Sequence, residues 1–143
     1  HGQALRYASP ELRGNREVVL AAVGQDVSVR QYVAQELWAD RDFVLATIRK
    51  HGTTLGLVAE ELRQDSAVVL AAVERDVWEL QHAAEELWRD REFVLKVVTQ
   101  HSSALRFAPE AVKTDRDCVI AAVARHGSAL AYVTDELWRD RAV

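Results

Sequence analysis

Three ladders in this sequence carry side chains that could do chemistry. The first is histidine: His1, His51, His101 and His126 stand at multiples of one spacing. Imidazoles in register suggest a metal site, because neutral histidine is a common ligand. The second is acidic: Asp40, Asp65, Asp90, Asp115 and Asp140, with Asn15 ahead of them. Carboxylates in register suggest cation binding. The third is Trp38, Trp88 and Trp138, alternating with Arg13, Arg63 and Lys113. Tryptophan and arginine are enriched at binding hot spots.

Each ladder also has a structural reading. If the rungs are successive helices they lie about 8–10 Å apart, whereas zinc–nitrogen bonds are about 2.0–2.1 Å. A histidine ladder therefore does not converge on one ion. Histidine at a helix end binds free carbonyls and favours the negative pole. Asp or Asn just before an apolar helix is an N-cap. Glu17, Asp42, Glu92 and Asp117, which follow, favour the positive helix end. Arg16, Arg41, Arg91, Arg116 and Arg141 neighbour these acids and are expected to pair with them. For Trp38, Trp88 and Trp138 two readings stay open. They are plugs between layers, with Phe43 and Phe93 beside two of them, or an edge stripe for a partner.

Trp78 stands outside that ladder, in a place otherwise held by Gln3, Ser28, Thr53, Ser103 and Ser128, and is a candidate exposed contact. His82 stands where Tyr7, Tyr32, Leu57, Phe107 and Tyr132 recur, and reads as a core or seam residue. Cys118 fills an apolar place and reads as inert core. There is no Gly-rich phosphate loop, no Ser-His-Asp arrangement and no cysteine cluster. The sequence thus offers no catalytic, cofactor-binding or metal residue, and an enzyme is the reading it supports least.

What must position these residues is a repeat. The phrase Glu86 to Leu95 recurs at Glu36 to Leu45 and restarts at Glu136; weaker versions run from Glu11, Glu61 and Ala111. The blocks are 1–25, 26–50, 51–75, 76–100, 101–125 and the partial 126–143. Blocks two and four agree at 12 of 25 places, as do blocks one and three, but blocks one and two at only 7. The larger unit is therefore a pair of blocks. Bulk at the thirteenth place (Arg13, Trp38, Arg63, Trp88, Lys113) co-varies with the eighteenth (Val18, Phe43, Val68, Phe93, Cys118), so the two places are expected to fill one space.

Within the block 51–75, Leu55, Val58 and Leu62 recur at helical spacing, with Thr54 offered as an N-cap. Asp65 then caps a short apolar helix through Val68, Val69, Leu70, Ala72 and Val73. Each block is predicted to be a helix pair. Pro10 and Pro109 break the first member near its ninth place, with Ser9 as cap and Pro10 as first helical residue. Helix pairs of this size bury their faces only by stacking. The expected fold is all-α, a solenoid or superhelical array of short helix pairs, as a single domain over 1–143; six layers give a length of about 50–60 Å. Leu12, Leu37, Leu62, Leu87, Val112 and Leu137 should be buried, and Val19, Val44, Val69, Val94 and Val119 with them.

At 143 residues the chain is long enough for a real core. Its longest apolar runs fall far short of a membrane span. A net charge of −4 counts against a nucleic-acid partner. One cysteine leaves the redox compartment open. There is no methionine, the sequence opens on the first place of a block, and it stops within one. These facts lead to the expectation of a processed product or part of a longer array.

The repeat resembles the family known as domain of unknown function 4116, with a signature close to LxYASxELRxDRExVLAAVxxxG. Here that reads Leu5-Arg6-Tyr7-Ala8-Ser9-Pro10-Glu11-Leu12-Arg13, then Arg16-Glu17-Val18-Val19-Leu20-Ala21-Ala22-Val23, and it recurs along the chain. The sequence departs at Gly14-Asn15, at Ser66 and where Trp replaces Arg. A looser likeness is to leucine-rich variant repeats of α and 3₁₀ helices. The resemblance implies an architecture and no transferable activity. The function expected is a non-catalytic scaffold or accessory subunit that binds a protein partner within a larger complex. A nucleic-acid-reading repeat or a cofactor- or pigment-contacting subunit is the alternative. The candidate contacts are Trp78, Trp138, Trp38 and Trp88, with the stripe Leu130, Val133 and Leu137.

Overall fold

The computed structural model describes residues 2–52 and 55–133, and among them there is no strand. The α-helices are α1 (Pro10–Arg13), α2 (Arg16–Gln25), α3 (Gln35–Trp38), α4 (Arg41–His51), α5 (Glu60–Arg63), α6 (Ser66–Val73), α7 (Arg91–Gln100), α8 (Glu110–Lys113) and α9 (Arg116–Arg125). Between them run 3₁₀ helices at Gly2–Tyr7, Val27–Tyr32, Leu55–Leu57, Val77–His82, Glu85–Arg89, Ser102–Arg106 and Gly127–Tyr132. A block is therefore a 3₁₀ segment, a single turn and one longer α-helix, not a plain helix pair. The expected break falls at the eighth and ninth places of every described block. Ser9 caps α1 with Pro10 in its first turn, while Pro109 is itself the N-cap of α8.

The long helices start where the acidic ladder places them. The side-chain oxygens of Asn15, Asp40, Asp65, Asp90 and Asp115 each accept a backbone N–H two or three residues on. That satisfies donors which a helix start leaves without intrahelical partners. At the other end α4 stops on Gly52, whose φ of 90° is open to glycine and costly for other residues. Thr54, the other expected cap, lies outside the described residues.

The chain forms two compact units, His1–His82 and Ala83–Val143. In the first, α2 packs on α4 and α4 on α6, while Gly2–Tyr7 packs on Val27–Tyr32 and Leu55–Leu57 on Val77–His82. In the second, α7 packs on α9 and Ser102–Arg106 on Gly127–Tyr132. In each unit the long helices make one layer and the 3₁₀ segments another. The core lies between, and Val19, Val44, Val69, Val94 and Val119 are all buried in it.

The leucine ladder is less uniform. Leu37, Leu87 and Val112 are buried, Leu62 is half-buried, and Leu137 lies outside the described residues. Leu12 contradicts the expectation, at 46% exposed. Its side chain lies on the outer face of the first block, which no other described block covers.

Truncation should separate the two environments. Phe43→Ala removes a fully buried ring and should cost about 3–5 kcal/mol. Leu12→Ala should stay within about 0.5 kcal/mol. Urea unfolding of the two variants measures both.

Candidate interaction surface

The tryptophan ladder resolves by geometry. Trp38 and Trp88 are buried, at 4% and 8% exposed. Trp38 meets Phe43 edge-on with ring centroids 5.5 Å apart, and Trp88 meets Phe93 at 5.9 Å. Such T-shaped contact suits the ring quadrupoles. The co-varying places do fill one space, and neither indole forms a surface stripe. Where the thirteenth place is arginine, the side chain does something else. Arg13 Nε donates to the Ala8 carbonyl at 3.1 Å and Nη2 to the Arg6 carbonyl at 2.8 Å. Arg63 repeats this on Val58 (2.9 Å) and Gly56 (3.2 Å). These guanidinium groups close the carbonyl end of their own 3₁₀ segment, the end where a cation is favoured.

The acidic ladder joins blocks as well as capping helices. Arg16 reaches Asp40 at 3.7 Å, Arg41 reaches Asp65 at 2.6 Å and Arg91 reaches Asp115 at 3.5 Å. Each aspartate divides its oxygens, Oδ1 to its own helix and Oδ2 to the preceding block's arginine. Burial raises the Asp65 pKa, but the Arg41 contact and the N–H groups of Val68 and Ala67 outweigh it and hold the carboxyl below its ordinary value. At Asp115 the Cys118 N–H leads in the same direction. These pairs are partly exposed, so each adds little stability.

Histidine also serves the seams of the first unit. His51 ends α4, and its ring lies over Gly24, where an added Cβ would come within 2.7 Å of Cε1. Burial, then Lys50, Arg30 and Arg75, push its pKa down, against a hydrogen bond to the Leu20 carbonyl. The half-buried His82 ring lies over Gly56, where an added Cβ would come within 3.4 Å of Cε1. Around the end of α4, Arg30 Nη2 donates to the His51 carbonyl at 3.1 Å, and Arg75 donates to the Arg49 carbonyl. Glu79 accepts the Leu55 N–H at 3.0 Å and opposes the lowering that burial imposes on the Arg30 pKa. The periodic reading missed this polar group. Its signal was present, since Arg30 stands in a leucine place (Leu5, Leu55, Leu80, Leu105, Leu130) and Glu79 in one of small or apolar residues.

Cys118 is buried, and its thiol is pushed up to about 11, first by burial and then by Asp115. A thiol so protonated is a poor nucleophile. Among the described residues no three metal-ligating side chains converge, and no helix is long and apolar enough to cross a membrane.

Of the candidate contacts, Trp78 is half exposed, with its backbone N–H on Asp76 Oδ1 at 2.9 Å. Leu130 and Val133 are half-buried at the end of Gly127–Tyr132. Leu137 and Trp138 lie outside the described residues.

Caps at a fixed place, one shared packing space and side chains that reach the next block define an all-helical repeat protein. The chain belongs to the family described as Domain of unknown function (DUF4116), whose model matches residues 1–38, 40–89 and 90–138. The second and third matches begin on Asp40 and Asp90, 50 residues apart, which agrees with a unit of two blocks. No curated protein and no solved structure matches the chain.

The seam histidine gives a pH dependence. The folded pKa of His51 lies below its unfolded value of about 6.5. Its neutral form therefore stabilises the fold above that pH, and the contribution is lost as pH falls through the folded pKa. The urea midpoint should drop between about pH 7.5 and pH 5, and less in His51→Gln. Equal drops in the two proteins would contradict the seam role.

Proposed function

We propose that the chain is a helical-repeat solenoid acting as a non-catalytic scaffold or accessory subunit, binding a protein partner within a larger assembly. The observation that carries this reading is a division of labour. Asp40, Asp65 and Asp115 cap helices and meet arginines of the preceding block, and Trp38 and Trp88 are buried against phenylalanines, while Trp78 leaves half its surface to solvent in a place otherwise polar. A half-exposed indole on a rigid repeat is a suitable hot spot. By sequence, the stripe Leu130, Val133 and Leu137 with Trp138 is the second contact region. A nucleic-acid reader draws less support, because Arg16, Arg41 and Arg91 each meet an aspartate of the next block.

The test is partner capture from the native source by the wild-type chain and by Trp78→Ala. The expected result is one stoichiometric protein partner whose capture weakens at least about tenfold in the variant, with the urea midpoint unchanged. Undiminished capture by Trp78→Ala would remove Trp78 from the site. Purification with nucleic acid and no protein would overturn the reading.

A further inference from the structure

The C-terminal end of α4 gathers more cations than the helix needs. Carbonyls left open at a helix end favour a cation, but the pole amounts to only about half a charge. Two arginines already serve it. Arg30 Nη2 donates to the His51 carbonyl at 3.1 Å, and Arg75 donates to the Arg49 carbonyl. Arg49 and Lys50 are further cations on the last turn, and both are exposed. Neither side chain meets a carboxylate among the described residues. The ion pairs of Arg16 and Arg41 lie elsewhere, at the N-terminal ends of the long helices.

His51 sets this cationic end against α2, with its ring over Gly24. The charges that act on the ring are Lys50, Arg30 and Arg75, and all three are positive. The acids of the surrounding elements are engaged or stand apart. Glu79 of Val77–His82 accepts the Leu55 N–H. Asp26 and Asp76 each accept a backbone N–H at the start of the 3₁₀ segments that follow α2 and α6. Glu17 stands two turns before Gly24 on α2, roughly 10 Å along the helix. Glu74 of α6 lies with Arg75 on the other side of α4.

Two grooves flank the end of α4. Between α2 and α4, Lys50 and His51 line one of about 400 Å³ with Leu20, Ala21 and Gly24. Between α4 and α6, Arg49 and Arg75 line one of about 420 Å³ with Leu70 and Ala71. The grooves lie one helix width apart, about 8–10 Å, which an extended chain covers in about three residues. Cations spread over that distance suit several carboxylates on one backbone better than one small anion. Glu17 and Glu74 on the groove walls oppose a continuous polyanion such as nucleic acid. We propose that the C-terminal end of α4, with the grooves on its two sides, docks an acidic segment of a protein partner. The segment lies extended across the last turn. One carboxylate meets Lys50, and another, about three residues on, meets Arg49 and Arg75. This assignment uses no contact of Trp78, so the two readings fail separately.

The test follows the His51 ring by NMR in the whole chain at low ionic strength, where exposed charges are least screened. The probe is capped hexaglutamate. A carboxylate beside Lys50 favours the imidazolium, so the His51 pKa should rise by about 0.5 or more at saturation, while His101 and His126 stay unmoved. By the same linkage the peptide should bind more tightly as pH falls from about 7.5 to about 6. Lys50→Gln and Arg49→Gln should each weaken binding about threefold. Lys96→Gln, at an exposed lysine of α7, and Trp78→Ala should leave it unchanged. Hexaglutamate that leaves His51 unmoved, or moves all the histidines alike, would overturn the proposal. So would inorganic phosphate or hexathymidylate acting on His51 at an equal or lower concentration. The first would assign a small-anion site and the second a nucleic-acid contact.

Discussion

The structure depends on one carboxylate used twice. At the fifteenth place of a block, an aspartate offers Oδ1 to the N–H groups that open its own helix and Oδ2 to the arginine of the block before. The first contact decides where the helix starts, and the second reaches across to the neighbouring block. A helix start leaves donors that only a cap, water or a ligand can satisfy, so the place cannot drift in sequence without loss of the helix. Fixing it also fixes the layer register.

The alternation between blocks is a second consequence of shared space. A tryptophan at the thirteenth place turns inward onto a phenylalanine, so the pair excludes water. Where that place is arginine the eighteenth is a valine, too small to complete such a pair, and the arginine head turns to the carbonyls of its own 3₁₀ segment. A long side chain with an apolar stem and a planar cation suits that position.

Much of this was legible in the sequence, and the reasons are local. Caps, the valine ladder and the Trp–Phe pairing depend on residues within one block, and the block is repeated. The 3₁₀ character of the first segment was not legible, because leucines three and four apart suit either helix until the backbone bonds are known. Leu12 was misplaced because its own block matches the others; its exposure depends on what lies beside that block. Arg30 and Glu79 were overlooked because a periodic reading discards what does not recur. At Trp78 the sequence supplied only its unusual place, an indole where the other blocks are polar, and exposure alone names no occupant.

The central claim is that the carboxylate at the fifteenth place caps its own helix and also meets the arginine of the block before. A double-mutant cycle over Arg41 and Asp65, read by urea unfolding, tests it most directly. The account predicts that Asp65→Ala costs about 0.5–2 kcal/mol and that the cycle leaves a coupling of about 0.2–1 kcal/mol between the two side chains. An Asp65→Ala variant as stable as the wild type, with no coupling to Arg41, would contradict it.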